Sequence, residues 1–136
     1  EAGADHTINP LREDARAEIA KLTTAGAGAV VDFVANTETA NLGIDVIRRG
    51  GSYIAVGLYG GRIDLPTLAL PTRDIALRGS YVGTLSEMHE LMELVKAGKV
   101  DPIPVASRPM SEVTETLKDL EEGRIIGRVV VVPEGA

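Results

Sequence analysis

Two short apolar runs, Ala29–Val34 and Ser52–Leu58, flank a stretch in which Ala40, Gly43, Ile44 and Ile47 recur at helical spacing. Both runs are rich in Val and Ile and bordered by Gly, which suits strands covered on both faces, and the stretch between them reads as an amphipathic helix. Asn36 or Thr37 is placed to cap the start of that helix, and Gly50-Gly51 to end it. The three segments predict one βαβ unit of a parallel sheet. Such sheets bind ligands at the carboxyl ends of their strands, here Val34-Ala35-Asn36 and Val56-Gly57-Leu58.

The pattern predicts further elements on either side. His6-Thr7-Ile8 reads as a short strand, and Asn9-Pro10 supplies a cap and a first-turn proline for a helix with the apolar stripe Leu11, Ala15, Ile19 and Leu22. After Gly60-Gly61, Pro66 and Pro71 bound an extended connection with a short helical turn. Arg73–Val82 alternates as a strand, with Ile75 and Leu77 on one face. Thr84-Leu-Ser-Glu87 spells a capping box, Met88, Leu91, Met92 and Val95 form the buried stripe of the helix it starts, and Gly98 closes that helix. Asp101–Pro104 reads as an extended linker. A helix from Ser111, with Val113, Leu117 and Leu120 apolar, stops at Gly123, and Arg128–Val132 is a nearly continuous apolar strand.

Composition narrows the function classes. A chain of 136 residues with 44% hydrophobic content can fill one core. With 20 acidic against 14 basic residues the net charge is −6, which opposes phosphate backbones, so nucleic acid is not an expected partner. The absence of cysteine excludes disulfides and thiolate metal sites. No apolar run approaches the roughly 18 residues that span a bilayer. A soluble, cytoplasmic protein is therefore expected, with no membrane partner.

Few residues offer chemistry. Ala25-Gly26-Ala27-Gly28 contains Gly-x-Gly but precedes a strand, whereas a phosphate-cradling loop follows one and opens a helix. His6 and His89 are distant in sequence and lack metal-ligand spacing, so no metal site is expected. Asp32 is the only carboxylate inside an apolar strand. It reads as a general base or, more commonly for such a residue, as a structural acid paired with a backbone donor or a cation. No nucleophile with a base and an orienting third group is present, and no catalytic residue is expected.

The segments DFVANTETANLGIDVIRRGGSYIAVGLYGG, EAGADHTINP, RDIALRGSYVG and LKDLEEGRIIGRVVVVP occur in an order and spacing that resembles the cofactor-binding domain of the zinc-containing, medium-chain alcohol dehydrogenase family. The resemblance covers essentially the whole chain, although the Gly-x-Gly-x-x-Gly fingerprint is missing. It implies an α/β fold with a partial Rossmann-like parallel sheet flanked by helices, lacking the first two strands. Residues 1–136 would be the C-terminal part of a dinucleotide-binding domain plus the family's C-terminal segment, preceded in the whole enzyme by a catalytic domain. The resemblance assigns Val34 and Ala35 to the adenosine-side ribose. Val56, Gly57 and Leu58 would pack on the nicotinamide and admit its ribose, and the backbone of Ser80, Tyr81 and Val82 would bond the carboxamide. Arg128 would reach the pyrophosphate. The implied cofactor is NAD or NADP, with NAD favoured, and zinc belongs to ligands upstream of this chain. A zinc-free quinone or enoyl reductase of the same superfamily, and a non-catalytic nucleotide-fold or dimerisation module, are the alternatives. The isolated chain is expected to bind cofactor weakly or not at all and to be inactive. A sheet of about five parallel strands is expected, its gap closed by pairing His6–Ile8 with Ala29–Val34 or by a second copy. At the opposite edge, 73–82 would pair two subunits in a homodimer.

Overall fold

The computed structural model describes residues 3–133 and divides into two units, Glu1–Gly83 and Thr84–Ala136. In the first, helix α1 (Ala15–Leu22) is followed by strand β1 (Ala27–Asp32), helix α2 (Thr37–Val46) and strand β2 (Ile47–Ala55). A short helix α3 (Ala69–Arg73) then leads to strand β3 (Ala76–Gly79). The three strands form a parallel sheet in the order β1-β2-β3. Its βαβ core is the unit expected from the apolar pattern.

The element boundaries have identifiable causes. Helix α1 starts later than expected because Asp14 caps it, its carboxylate accepting the Arg16 and Ala17 N–H groups at 3.1 and 3.2 Å. Asn9 instead closes a separate turn over Leu11 and Arg12, so Leu11 stays exposed. Asn36 caps α2 by accepting the Thr39 N–H at 2.8 Å. That helix ends at Val46, before the glycines expected to stop it. The Arg73 guanidinium takes up the carbonyls of Ile44 and Ile47 at 2.8 and 2.9 Å, and the chain turns directly into β2. Gly50 and Gly51 lie inside β2, where the register slips between Ala27↔Ile47 and Ala29↔Ser52.

The core joins α2 to the sheet and to the chain around Ile75: Ala40, Ile44, Ile47, Tyr53 and Ile75 are buried, with Val30, Ala55, Leu65 and Leu70 packed against them. Gly43 is required here, because a Cβ would lie 2.9 Å from Cε2 of the Tyr53 ring.

Two expected strands are corrected. His6–Ile8 forms no strand, because Asn9 draws the chain into a turn, and the outer edge of β1 has no strand partner among the described residues. Arg73 ends α3 rather than starting a strand, left-handed Asp74 (φ 53°) turns the chain, and β3 covers only Ala76–Gly79.

The second unit opens on helix α4 (Leu85–Lys96) with the expected capping box: Thr84 Oγ1 accepts the Glu87 N–H at 3.2 Å while the Glu87 carboxylate accepts the Thr84 N–H at 2.6 Å. The expected burial of its apolar stripe is corrected: Met88, Leu91, Met92 and Val95 are all exposed. Periodicity shows that a helix has an apolar face but supplies nothing to cover it. Strand β4 (Val105–Pro109), a 3₁₀ turn (Met110–Glu112), helix α5 (Val113–Glu121) and strand β5 (Arg128–Val132) follow, with β4 and β5 parallel. Asp119 of α5 bonds Arg108 of β4 at 2.7 Å and Arg124 at 2.6 Å, tying helix, strand and the following turn together. The single sheet of about five strands is also corrected: His6–Ile8 contributes none, β4 is a strand the pattern did not predict, and the described strands divide three and two between separate sheets.

Candidate cofactor site

Eight of the nine residues assigned to the cofactor follow the carboxyl ends of β1, β2 and β3, which lie side by side. Strand β1 ends at Asp32, whose main-chain oxygen accepts the N–H groups of both Val56 and Gly57 at 2.9 Å. The Ser80 N–H donates to the Ala55 oxygen at 2.9 Å, so the third strand end stays bonded to the second. Farther out, Tyr59 N–H donates to Val34 O at 3.3 Å, Gly61 N–H to Ala35 O at 2.9 Å, and Arg62 N–H to Thr37 Oγ1 at 3.1 Å. The 56–62 loop is thereby laid along the β1 end and the start of α2.

The expectation that Val56-Gly57-Leu58 finishes a buried strand is corrected. Strand β2 stops at Ala55, Val56 and Gly57 are half-buried, and Leu58 is 80% exposed on the loop. The reason for glycine at 57 also differs from the expected one. A Cβ there would lie 2.2 Å from the Val34 carbonyl carbon, so the small residue is demanded by the neighbouring backbone.

Two of the three non-glycine residues found with positive φ among the described residues fall in this cluster: Ala35 (φ 56°) and Val82 (φ 46°). Left-handed backbone is disfavoured for a residue with a Cβ, most of all a β-branched one, and such conformations collect at binding sites. Tyr81 and Val82 are exposed beside them, as is Phe33. Arg128 lies in the second unit, exposed at the start of β5, where its N–H donates to Pro104 O at 2.8 Å.

Beneath the cluster lies a buried polar pair. Asp32 is 6% exposed and Tyr53 1%. The Asp32 Oδ1 accepts the N–H groups of Val34 and Ala35 at 2.9 and 2.8 Å, and its Oδ2 accepts the Tyr53 hydroxyl at 2.9 Å. Burial pushes the carboxyl upward, but the Ala35 N–H, the Thr39 and Tyr53 hydroxyls and the Val34 N–H together outweigh it and hold Asp32 below the usual carboxylate range. Burial first, and the carboxylate second, push the Tyr53 phenol up to about 12. A carboxylate so satisfied is a poor base, and Asp32 is the structural acid of the two readings. Sequence reasoning missed its partner, which only the strand register brings near. Val30 is in register with Tyr53 and Asp32 with Ala55, so Tyr53 sits diagonally from Asp32 on one sheet face.

Metal chemistry finds no support in these residues. No group of three or more His, Asp or Glu side chains comes together among the described residues, and the chain has no cysteine, so these residues do not fit zinc. His6 and His89 are both exposed. No helix among the described residues is long and apolar enough to cross a membrane.

Known proteins are similar to this chain in sequence and fold. Residues 1–97 match the model of a family described as zinc-binding dehydrogenase. An NAD-dependent alcohol dehydrogenase of Sulfurisphaera tokodaii is 33% identical over 97% of this chain, and a D-arabinose 1-dehydrogenase (NADP(+)) of Saccharolobus solfataricus is 33% identical over 98%. The crystal structure of the alcohol dehydrogenase from Aeropyrum pernix superposes with a TM-score of 0.85 at 34% identity, covering 96% of this chain. The chain spans 38% of the length of each of these three relatives. Parallel sheets flanked by helices and a family match over most of its length lead to one conclusion: the chain belongs to the zinc-binding dehydrogenase family.

Proposed function

We propose that this chain is the cofactor-binding C-terminal portion of an NAD(P)-dependent alcohol dehydrogenase, and that the carboxyl ends of β1, β2 and β3 hold the nicotinamide dinucleotide. The observation that carries the reading is the bonded alignment of three parallel strand ends with left-handed Ala35 and Val82 among them. In this reading Val34 and Ala35 support the adenosine-side ribose, while Val56, Gly57 and Leu58 pack against the nicotinamide and its ribose. The backbone of Ser80–Val82 bonds the carboxamide. The bound nicotinamide supplies a two-electron hydride acceptor for an alcohol and a donor for the reverse reaction. The chain's own share is to bind and orient that ring. NAD is favoured over NADP, since relatives of both kinds occur and the NAD-dependent alcohol dehydrogenase is among the most similar.

Titration calorimetry of the chain with NADH tests this. Weak, saturable heat that disappears when the exposed Leu58 is replaced by Asp supports a retained cofactor site. Silence from the unmodified chain at millimolar NADH removes the site and leaves a scaffold.

A further inference from the structure

Asp32 sits at a junction that the cofactor reading does not use. One oxygen of its carboxylate gathers two successive N–H groups, Val34 at 2.9 Å and Ala35 at 2.8 Å. The second of those residues has φ 56°, a conformation alanine disfavours. The oxygens of the same two residues then accept the loop that follows β2, through Tyr59 N–H at 3.3 Å and Gly61 N–H at 2.9 Å. The other carboxylate oxygen is aimed by the Tyr53 hydroxyl, whose ring is fixed against Gly43 in the core. A chain of contacts therefore runs from a buried phenol through the carboxylate to the backbone of Val34 and Ala35, and from there to the 56–61 loop.

We propose that Asp32 is a positioning residue of the cofactor site: by accepting the Val34 and Ala35 N–H groups it holds Ala35 left-handed, and so sets the spacing between the β1 end and the loop that follows β2. This rests on the cofactor reading above. The negative charge matters because hydrogen bonds to an ionised acceptor are roughly twice as strong as neutral ones. An apolar or neutral residue at 32 would let Ala35 relax toward right-handed or extended backbone, and the two segments would no longer be held in register. Tyr53 supports the role at one remove. It fixes the carboxylate and touches neither segment's backbone through its hydroxyl.

The test is an amide-detected NMR titration of the chain with NADH, applied to the unmodified protein, Asp32→Asn, Tyr53→Phe and the double variant Asp32→Asn/Ala35→Gly. Thermal unfolding of each variant accompanies it. Asp32→Asn keeps the shape and loses the charge, and its NADH affinity is expected to fall about tenfold. Glycine adopts positive φ without help from a side chain, so the double variant is expected to regain most of that loss. A purely structural role would give no such rescue. Tyr53→Phe keeps both backbone bonds and is expected to lose affinity about two- to threefold. Unchanged affinity in folded Asp32→Asn, or a loss that Ala35→Gly does not relieve, overturns the positioning role and leaves the cofactor reading standing. If Asp32→Asn fails to fold, Tyr53→Phe decides: the expected loss supports the role, and affinity equal to the unmodified chain overturns it. If NADH moves no resonance of Val34–Asn36 or Val56–Leu58 in the unmodified chain, the cofactor reading fails and takes this proposal with it.

Discussion

Tyr53 and Asp32 bind their neighbourhood together at the residue scale, and their titrations are opposite in sign. Asp32 has a folded-state pKa below its ordinary value, so the stability it contributes is present above about pH 4 and lost as pH falls through the lowered value. Tyr53 is raised from 10.0 to about 12, so its contribution is complete below pH 10 and drains away between pH 10 and 12 as the unfolded phenol ionises first. Denaturant unfolding measured against pH is expected to show both limbs. Asp32→Asn should flatten the acid limb and Tyr53→Phe the alkaline one; an alkaline limb unchanged by Tyr53→Phe would contradict the pairing. The sequence makes Asp32 conspicuous as an acid within an apolar strand. Its partner is invisible until β1 and β2 are set in register, because Tyr53 stands 21 residues away in the chain. Gly57 teaches a related lesson. A glycine at a strand end was legible, but whether its missing Cβ makes room for a ligand or for the Val34 backbone depends on a contact that only the fold creates.

At the scale of elements, several local signals were legible, although the Asp14 cap of α1 and the Asn9 turn were nearby and still misread. The capping box of Thr84 and Glu87, the glycine after α5 and the apolar strand Arg128–Val132 all occur as the pattern implies. Helix α2 is the instructive exception, since its end is set by Arg73, which lies 26 residues beyond Ile47. Replacing Arg73 by Ala removes two charge-assisted bonds to the Ile44 and Ile47 carbonyls and is expected to cost about 2 kcal/mol in denaturant unfolding. A change below a few tenths would show that α2 ends without it. Strand β4 escaped detection because Pro104 and Pro109 bracket only Val105-Ala-Ser-Arg108, too little to show alternation. Its pairing is nonlocal: parallel β5 supplies the ladder, and Arg108 is held by Asp119 of the intervening helix.

At the scale of the whole molecule, both units present an edge or a face that their own described residues do not cover. In the first, β3 pairs with β2 alone and all four of its residues are exposed. Unpaired strand edges favour strand addition, and the homodimer suggested by the family resemblance would form there, through a shorter edge than the sequence implied. Light scattering at high concentration is expected to give twice the mass of one chain, and a strict monomer would contradict the dimer. The proposed function stands or falls with the three strand ends of the first unit as the cofactor site. Diffraction from crystals grown with saturating NADH tests it most directly. Nicotinamide density is expected against Val56–Leu58, with its carboxamide on the Ser80–Val82 backbone. Density bound elsewhere on the chain, with those strand ends bare, would contradict it.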